Sequence, residues 1–298
     1  MKITASMVKE LRERTGSGMM ECKKALQETD GDIELAIENM RKSGMAKADK
    51  KSSRVAAEGR VVVEISDDGN SAAIVEVNCE TDFVSGSDDF LAFVTSIAKT
   101  ALSNKPSDVV ALSATTLDGT SETVEEARKA KIVKIGENIQ VRRFALLSTK
   151  NGAFGSYSHG TRMGVVAELE WADKSARNDD LIKDIAMHIA ASNPLCVSEA
   201  NVPSDVLEKE KDILRAQALE SGKPADIVEK MLTGRIRKYL AEITLLGQSF
   251  VKDPDKTVET LLSDSGATVN NFVRYEVGEG IEKKVENFAD EVMAQVNG

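Results

Sequence analysis

The spacing of apolar residues changes near position 58, and this constrains the fold more than any single motif. Before that point Ile33, Ala36, Ile37 and Met40 fall at i, i+3, i+4 and i+7, the stripe of a half-buried helix. After it Val61, Val63 and Ile65 alternate with their neighbours, Asp67-Asp68-Gly69-Asn70 supplies a turn, and Ala73 to Cys79 returns as a second apolar strand. Helical and strand periods are thus held in separate segments, and the second segment opens with a β-hairpin.

The first segment reads as three short helices. Thr4 or Ser6 can cap one carrying Val8 and Leu11, which Thr15-Gly16 ends. The second follows Ser17-Gly18, with Met19, Cys22 and Leu26 on one face, and Asp30-Gly31-Asp32 turns the chain into the third. Residues 42–58, rich in Lys, Ala and Ser, read as a polar linker with some helix. Beyond the hairpin, a loop carrying Phe83 leads to Asp88-Asp89, expected to cap a helix whose core stripe is Phe90, Phe93, Val94, Ile97 and Ala101. A helix from about Ser121 to Ile135 and a strand from Ile139 to Leu147 follow.

The next stretch repeats this order loosely. Phe154 to Tyr157 and Val165 to Leu169 read as paired strands around His159-Gly160, and Asn178-Asp179-Asp180 caps a helix with Leu181, Ile182, Ile185 and Ile189. Ile97-Ala98 and Ile185-Ala186 each precede a proline, Pro106 or Pro194, which fits either a duplicated subdomain or shared helix-stop chemistry. From Ser204 to Leu246 near-seven spacing describes an antiparallel helical hairpin, turning at Gly222-Lys223-Pro224. A helix at Thr257 to Leu262, a strand from Phe272 to Val277 and a closing helix, Ile281 to Met293, complete the chain.

Composition narrows the function classes. The net charge of −10 opposes a broad phosphate-binding surface, although residues 1–54 hold twelve Lys or Arg against nine Asp or Glu, a net of +3 that leaves −13 elsewhere. Cys22, Cys79 and Cys196 lack the spacing of a zinc site or disulfide framework, so a reduced, cytoplasmic setting is expected. No run approaches the roughly 20 apolar residues that span a bilayer. The two histidines, His159 and His188, have no nearby nucleophile or second ligand, and no phosphate-binding loop occurs. His188 lies in an apolar helix and reads as a satisfied core histidine. A protein without covalent chemistry of its own, needing no cofactor or metal, is the expectation.

Thr81-Asp82-Phe83-Val84 stands out in a chain only 4% aromatic. Phe83 is either folded back onto the core or presented to a partner, and the residues alone leave both open.

The run Thr15-Gly16-Ser17-Gly18-Met19-Met20-Glu21-Cys22-Lys23-Lys24-Ala25-Leu26, continued by Gly31-Asp32-Ile33-Glu34-Leu35-Ala36, closely resembles the elongation factor Ts family, the nucleotide exchange factors of elongation factor Tu. Glu76 to Val84, Lys134 to Ile139 and Arg274 to Ile281 agree in the same order, so the similarity covers essentially the whole chain. It implies an α+β protein, with a ubiquitin-associated-like three-helix module over 1–54 and two α+β core subdomains with antiparallel sheets over 55–147 and over 148–203 with 247–280. A helical hairpin is inserted at 204–246, a candidate for homodimer or 2:2 assembly, and a C-terminal module covers 281–298.

The implied partner is elongation factor Tu, GDP-bound and nucleotide-free, with no direct nucleic acid or membrane contact. The loop matching Asp82 and Phe83 would enter its GTP-binding domain on the Mg²⁺ side, Phe83 as a wedge and Asp82 positioning the loop. Ile135, Gly136 and His159 would share that surface. Arg12, Met19, Met20 and Lys23 would grip the domain elsewhere, and Val251 would meet the partner's β-barrel. Each position has a plainer alternative: a methionine in the core, a basic side chain in solvent, Ile135 packed at a helix end, or His159 serving its own backbone.

Overall fold

The computed structural model describes residues 3–219 and 225–282. Contacts gather into two units, one holding the residues through Val61, Val75–Phe144 and those from Glu276 on, the other Val62–Ile74 and Ala145–Tyr275. The architecture is α+β, as the resemblance implies.

Three helices open the chain: α1 (Ala5–Thr15), α2 (Met19–Glu28) and α3 (Ile33–Lys51). Thr4 caps α1 by accepting the Met7 N–H at 3.3 Å, Gly16 ends it at φ 66°, and Asp32 caps α3 through the Leu35 N–H at 3.0 Å. Val8, Leu11, Cys22, Ala25, Leu26 and Ala36 form their core, with Ile33, Ile37 and Met40 packed against it. The expected polar linker is instead mostly helix, because α3 continues to Lys51. Its small residues and Asp49 face α7 (Val124–Ile135): a Cβ on Gly44 would stand 3.1 Å from Val133, Ala48 is buried, and Asp49 pairs with Lys129 at 2.9 Å.

The first sheet has the order β1 (Glu58–Ile65), β2 (Ser71–Cys79), β3 (Ile139–Ser148). Two short helices absent from the sequence reading are present, α4 (Asp82–Gly86) and α6 (Val109–Ala114). Between them α5 (Asp88–Asn104) buries the expected stripe, though Ser87 rather than Asp88 or Asp89 is its cap, accepting the Phe90 N–H at 3.2 Å. Thr123 and Glu126 form a reciprocal capping box at the start of α7.

The second sheet has the order β4 (Ala153–His159), β5 (Met163–Trp171), β8 (Ala267–Glu276), and β4 pairs antiparallel with β5 from Ala153 opposite Leu169 to His159 opposite Met163. Its covering helix, α8 (Asp179–Ser192), is capped by Asn178 and packs on β4 and β5 closely enough that a Cβ on Gly155 would lie 2.2 Å from Ile182. Both covering helices stop alike: Lys105 and Asn193 are left-handed, at φ 49° and 45°, with their N–H groups on Ala101 and Ile189 oxygens. Hairpin, helix and third strand therefore recur in one order.

The hairpin arms are α9 (Ser204–Leu219) and α10 (Ala225–Ile243), which pack together; the expected Gly222-Lys223-Pro224 turn lies outside the described residues. A two-stranded ribbon not foreseen, β6 (Ser249–Phe250) and β7 (Asp253–Thr257), precedes α11 (Val258–Asp264). The C-terminal helix expected over 281–293 falls almost wholly outside the described residues. Among the described residues no helix is long and apolar enough to cross a membrane.

Candidate partner-binding site

Phe83 is 88% exposed, so the reading that folds it back onto the core is wrong. The segment is also one turn of helix rather than a loop. Thr81 caps α4, its Oγ1 accepting the Val84 N–H at 3.4 Å, and the Ser85 N–H donates to the Thr81 carbonyl at 3.3 Å. Ser85 Oγ donates to the Asp82 carbonyl at 3.1 Å, and Ser87 Oγ to that of Val84 at 2.8 Å. Asp82 and Phe83 face solvent, whereas Thr81 and Val84 are half-buried.

A helix this short does not hold itself, since nucleation fixes several residues for one hydrogen bond. Its supports come from elsewhere. Glu137 Oε2 accepts the N–H groups of Glu80 and Thr81 at 3.2 and 3.0 Å, and its Oε1 accepts the Thr81 hydroxyl at 2.6 Å. Glu80 Oε1 in turn accepts the Asn138 N–H at 2.5 Å, and Arg60 Nε donates to the Ser85 carbonyl. Beneath, the Cys79 thiol donates to the Thr81 carbonyl at 3.2 Å; burial, aided by the nearby Glu137 charge, pushes that thiol up to about 12, so it stays neutral.

Glu137 also brings the second expected segment alongside. Ile135 is the half-buried last residue of α7, and Gly136 is its left-handed cap at φ 92°, its N–H on the Ile132 carbonyl at 2.8 Å and its own carbonyl accepting Lys51 Nζ. The glycine at 136 thus has a sufficient local cause.

Arg12 and Lys23 are exposed on α1 and α2, and both methionines face out, Met19 60% and Met20 75% exposed. Met19 was expected on the buried face with Cys22 and Leu26. It opens α2, and a first-turn side chain leans toward the helix start, past the edge of the small core. A cleft of about 340 Å³ between α3 and α7 includes Ile37, Met40 and Val133, and at its rim Arg41 pairs with Glu126 at 2.8 Å.

In the second unit His159 is exposed at the end of β4, with Nδ1 3.2 Å from the Tyr157 hydroxyl, so its ring has a side-chain partner rather than serving its backbone. Val251 is 41% exposed on the turn after β6. Its N–H donates to Nδ1 of the buried His188 at 3.2 Å, and Nε2 lies 3.0 Å from Gln248 Oε1. Because Nδ1 accepts, Nε2 carries the proton and donates; His188 is neutral, its pKa lowered by burial against a smaller opposing effect of Gln248. This is the satisfied core histidine expected from sequence.

Sequence reasoning did not single out Glu137 or Glu80. Their partners lie 56 to 58 residues away, and no local spacing announces that pairing. Leu35 and Val110 also expose apolar surface without a sequence signal.

A family model described as elongation factor TS matches residues 80–279. Elongation factor Ts of Thioalkalivibrio sulfidiphilus is 64% identical over 299 residues and covers 100% of both chains. Those of Methylococcus capsulatus and Alkalilimnicola ehrlichii are 61% and 58% identical, covering 99% and 100% of each chain. The similarity spans the helical module, both sheets and the capped turn that carries Phe83, and the chain belongs to the elongation factor Ts family.

Proposed function

We propose that this protein binds elongation factor Tu in its GDP-bound and nucleotide-free states and promotes GDP release, allowing GTP to reload. The observation that carries this reading is Phe83: a large apolar side chain 88% exposed on a turn held by a capping hydroxyl and a remote carboxylate. Burying a phenylalanine is worth roughly 1.5–3 kcal/mol. A side chain mounted this way keeps that free energy available for a partner.

Release needs no covalent step. A partner that prefers the nucleotide-free state weakens nucleotide binding by the same factor by which nucleotide weakens partner binding. Mg²⁺ demands near-ideal octahedral geometry, so a side chain that displaces its surroundings slightly can loosen ion and phosphates together. Phe83 is the wedge and Asp82 sets the direction of its turn, with Ile135 and Gly136 beside them. Arg12, Met19, Met20 and Lys23 supply a second grip, and His159 and Val251 further contacts from the other unit. The five-part division at 54, 147, 203, 246 and 280 assigns the grip to the first module and the wedge to the second, with the hairpin left for assembly.

Phe83→Ala should slow factor-stimulated GDP release roughly thirtyfold, the rate equivalent of about 2 kcal/mol for a buried aromatic anchor. Stopped-flow release of a fluorescent GDP analogue from elongation factor Tu measures it. Unchanged release would remove the wedge, and binding without stimulated release by the unaltered protein would make this an adaptor.

A further inference from the structure

We infer that Glu137 is a positioning residue for Phe83, aiming the exposed ring and tying the Thr81–Val84 turn to Ile135-Gly136 as one rigid contact surface. The inference rests on the proposed exchange function and assigns a role within it to a half-buried side chain at the base of the turn.

The ring cannot hold its own direction. It is 88% exposed, and a five-residue helix is too short to persist unaided. Orientation must come through the backbone at the start of α4, where the Glu137 carboxylate accepts three hydrogen bonds. Its Oε2 takes the N–H groups of Glu80 and Thr81, two donors just past the end of β2. Its Oε1 takes the Thr81 hydroxyl proton at 2.6 Å. A threonine hydroxyl has one proton and two lone pairs, so giving that proton to Glu137 turns a lone pair toward the Val84 N–H. Glu137 therefore selects the hydroxyl orientation that makes Thr81 a cap.

The arrangement is reciprocal. Glu80, from the end of β2, accepts the Asn138 N–H at 2.5 Å, while Glu137, just before β3, accepts the Glu80 N–H. Each carboxylate fastens the other's backbone. The segments at 80–81 and 137–138 cannot separate without breaking both, so Phe83 and Ile135 move together. A wedge ordered in advance avoids the cost of ordering it at the release step, after the partner has bound.

The test is stopped-flow GDP release from elongation factor Tu as a function of factor concentration, using the full-length protein with Glu137→Ala, Glu137→Gln, Phe83→Ala and the double variant. Glu137→Ala should lower the maximal release rate about tenfold, the scale of re-ordering one residue or slightly more of backbone, and leave the half-saturating concentration unchanged. Glu137→Gln keeps an acceptor for the two N–H groups but opposes its amide to the Thr81 hydroxyl, so it should fall between. Because Glu137 acts through Phe83, it should add no loss in the Phe83→Ala background. Hydrogen exchange at 80–84 should quicken in Glu137→Ala.

Faster exchange at 80–84 with an unchanged release rate would overturn the inference and leave the clamp merely structural. A full tenfold loss on top of Phe83→Ala would also overturn it, by placing the action of Glu137 elsewhere. If Phe83→Ala alone releases GDP at the normal rate, the wedge reading fails and this inference goes with it, a result separable from the first two.

Discussion

Glu76→Gln should destabilise the first unit by about 3 kcal/mol at neutral pH, the lower end of the range for breaking a buried ion pair. The Glu76 side chain is wholly buried, and it accepts from Arg142 Nη1 at 2.9 Å, Arg143 Nε at 2.5 Å, the Gly278 N–H at 2.8 Å and Asn78 Nδ2 at 3.2 Å. Glutamine keeps one acceptor oxygen and turns an amide against the Arg143 guanidinium. The lower end applies because the arginines are 24% and 30% exposed and Arg143 retains Glu279 at 3.0 Å. Burial alone would raise the Glu76 carboxyl, but the Gly278 N–H and the two guanidiniums together hold it below its ordinary value of 4.5. A depressed folded-state pKa gives stability that is present above the unfolded value and lost as pH falls through the folded one. The gap between wild type and Glu76→Gln in urea unfolding should therefore be full at pH 7 and shrink below about pH 4.5. A gap under 1 kcal/mol at pH 7, or one that stays constant down to pH 3, would refute this account.

Two further outcomes follow from buried groups in each unit. The His188 pKa is lowered from 6.5 on folding, so its contribution to stability should decline as pH falls below about 6.5, until the folded form also protonates, and His188→Gln should remove that slope in denaturant titrations. A slope that survives the substitution would assign it to other groups. Cys79, its thiol pushed to about 12, should resist iodoacetamide at pH 8 in the folded protein and react at the rate of unfolding, as peptide mass spectrometry would show; prompt labelling would contradict its placement under Thr81.

Sequence periodicity carried most of the fold because the main covering helices bury one apolar face along their length. The stripes on α5 and α8 and the turn at Gly69 were legible from spacing and turn chemistry alone. The linker was misread because its Lys, Ala and Ser lack an apolar stripe, whereas in the structure small residues at 44 and 48 lie against α7 and Asp49 pairs with its Lys129. The short helix α4 escaped because five residues show no period; its order comes from Glu137, supplied by a segment 56 residues later. Met19 sat at the right interval for the core and was placed outside it only by where α2 begins. Local rules thus located Phe83 and its neighbours, and long-range hydrogen bonds determined whether they pointed in or out.

The polar mount of Phe83 separates loss of function from loss of stability. An 88% exposed ring contributes almost nothing to the folded state by burial, so truncating it forfeits almost nothing there. The groups that hold its turn are hydroxyls, a carboxylate, the Arg60 guanidinium and backbone amides, none of which the substitution touches. A Phe83→Ala protein should therefore unfold at the wild-type denaturant midpoint while releasing GDP slowly, and a variant that lost both together would place the ring in the core after all. Under the proposed function, the free energy that Phe83 leaves out of folding is what it offers elongation factor Tu.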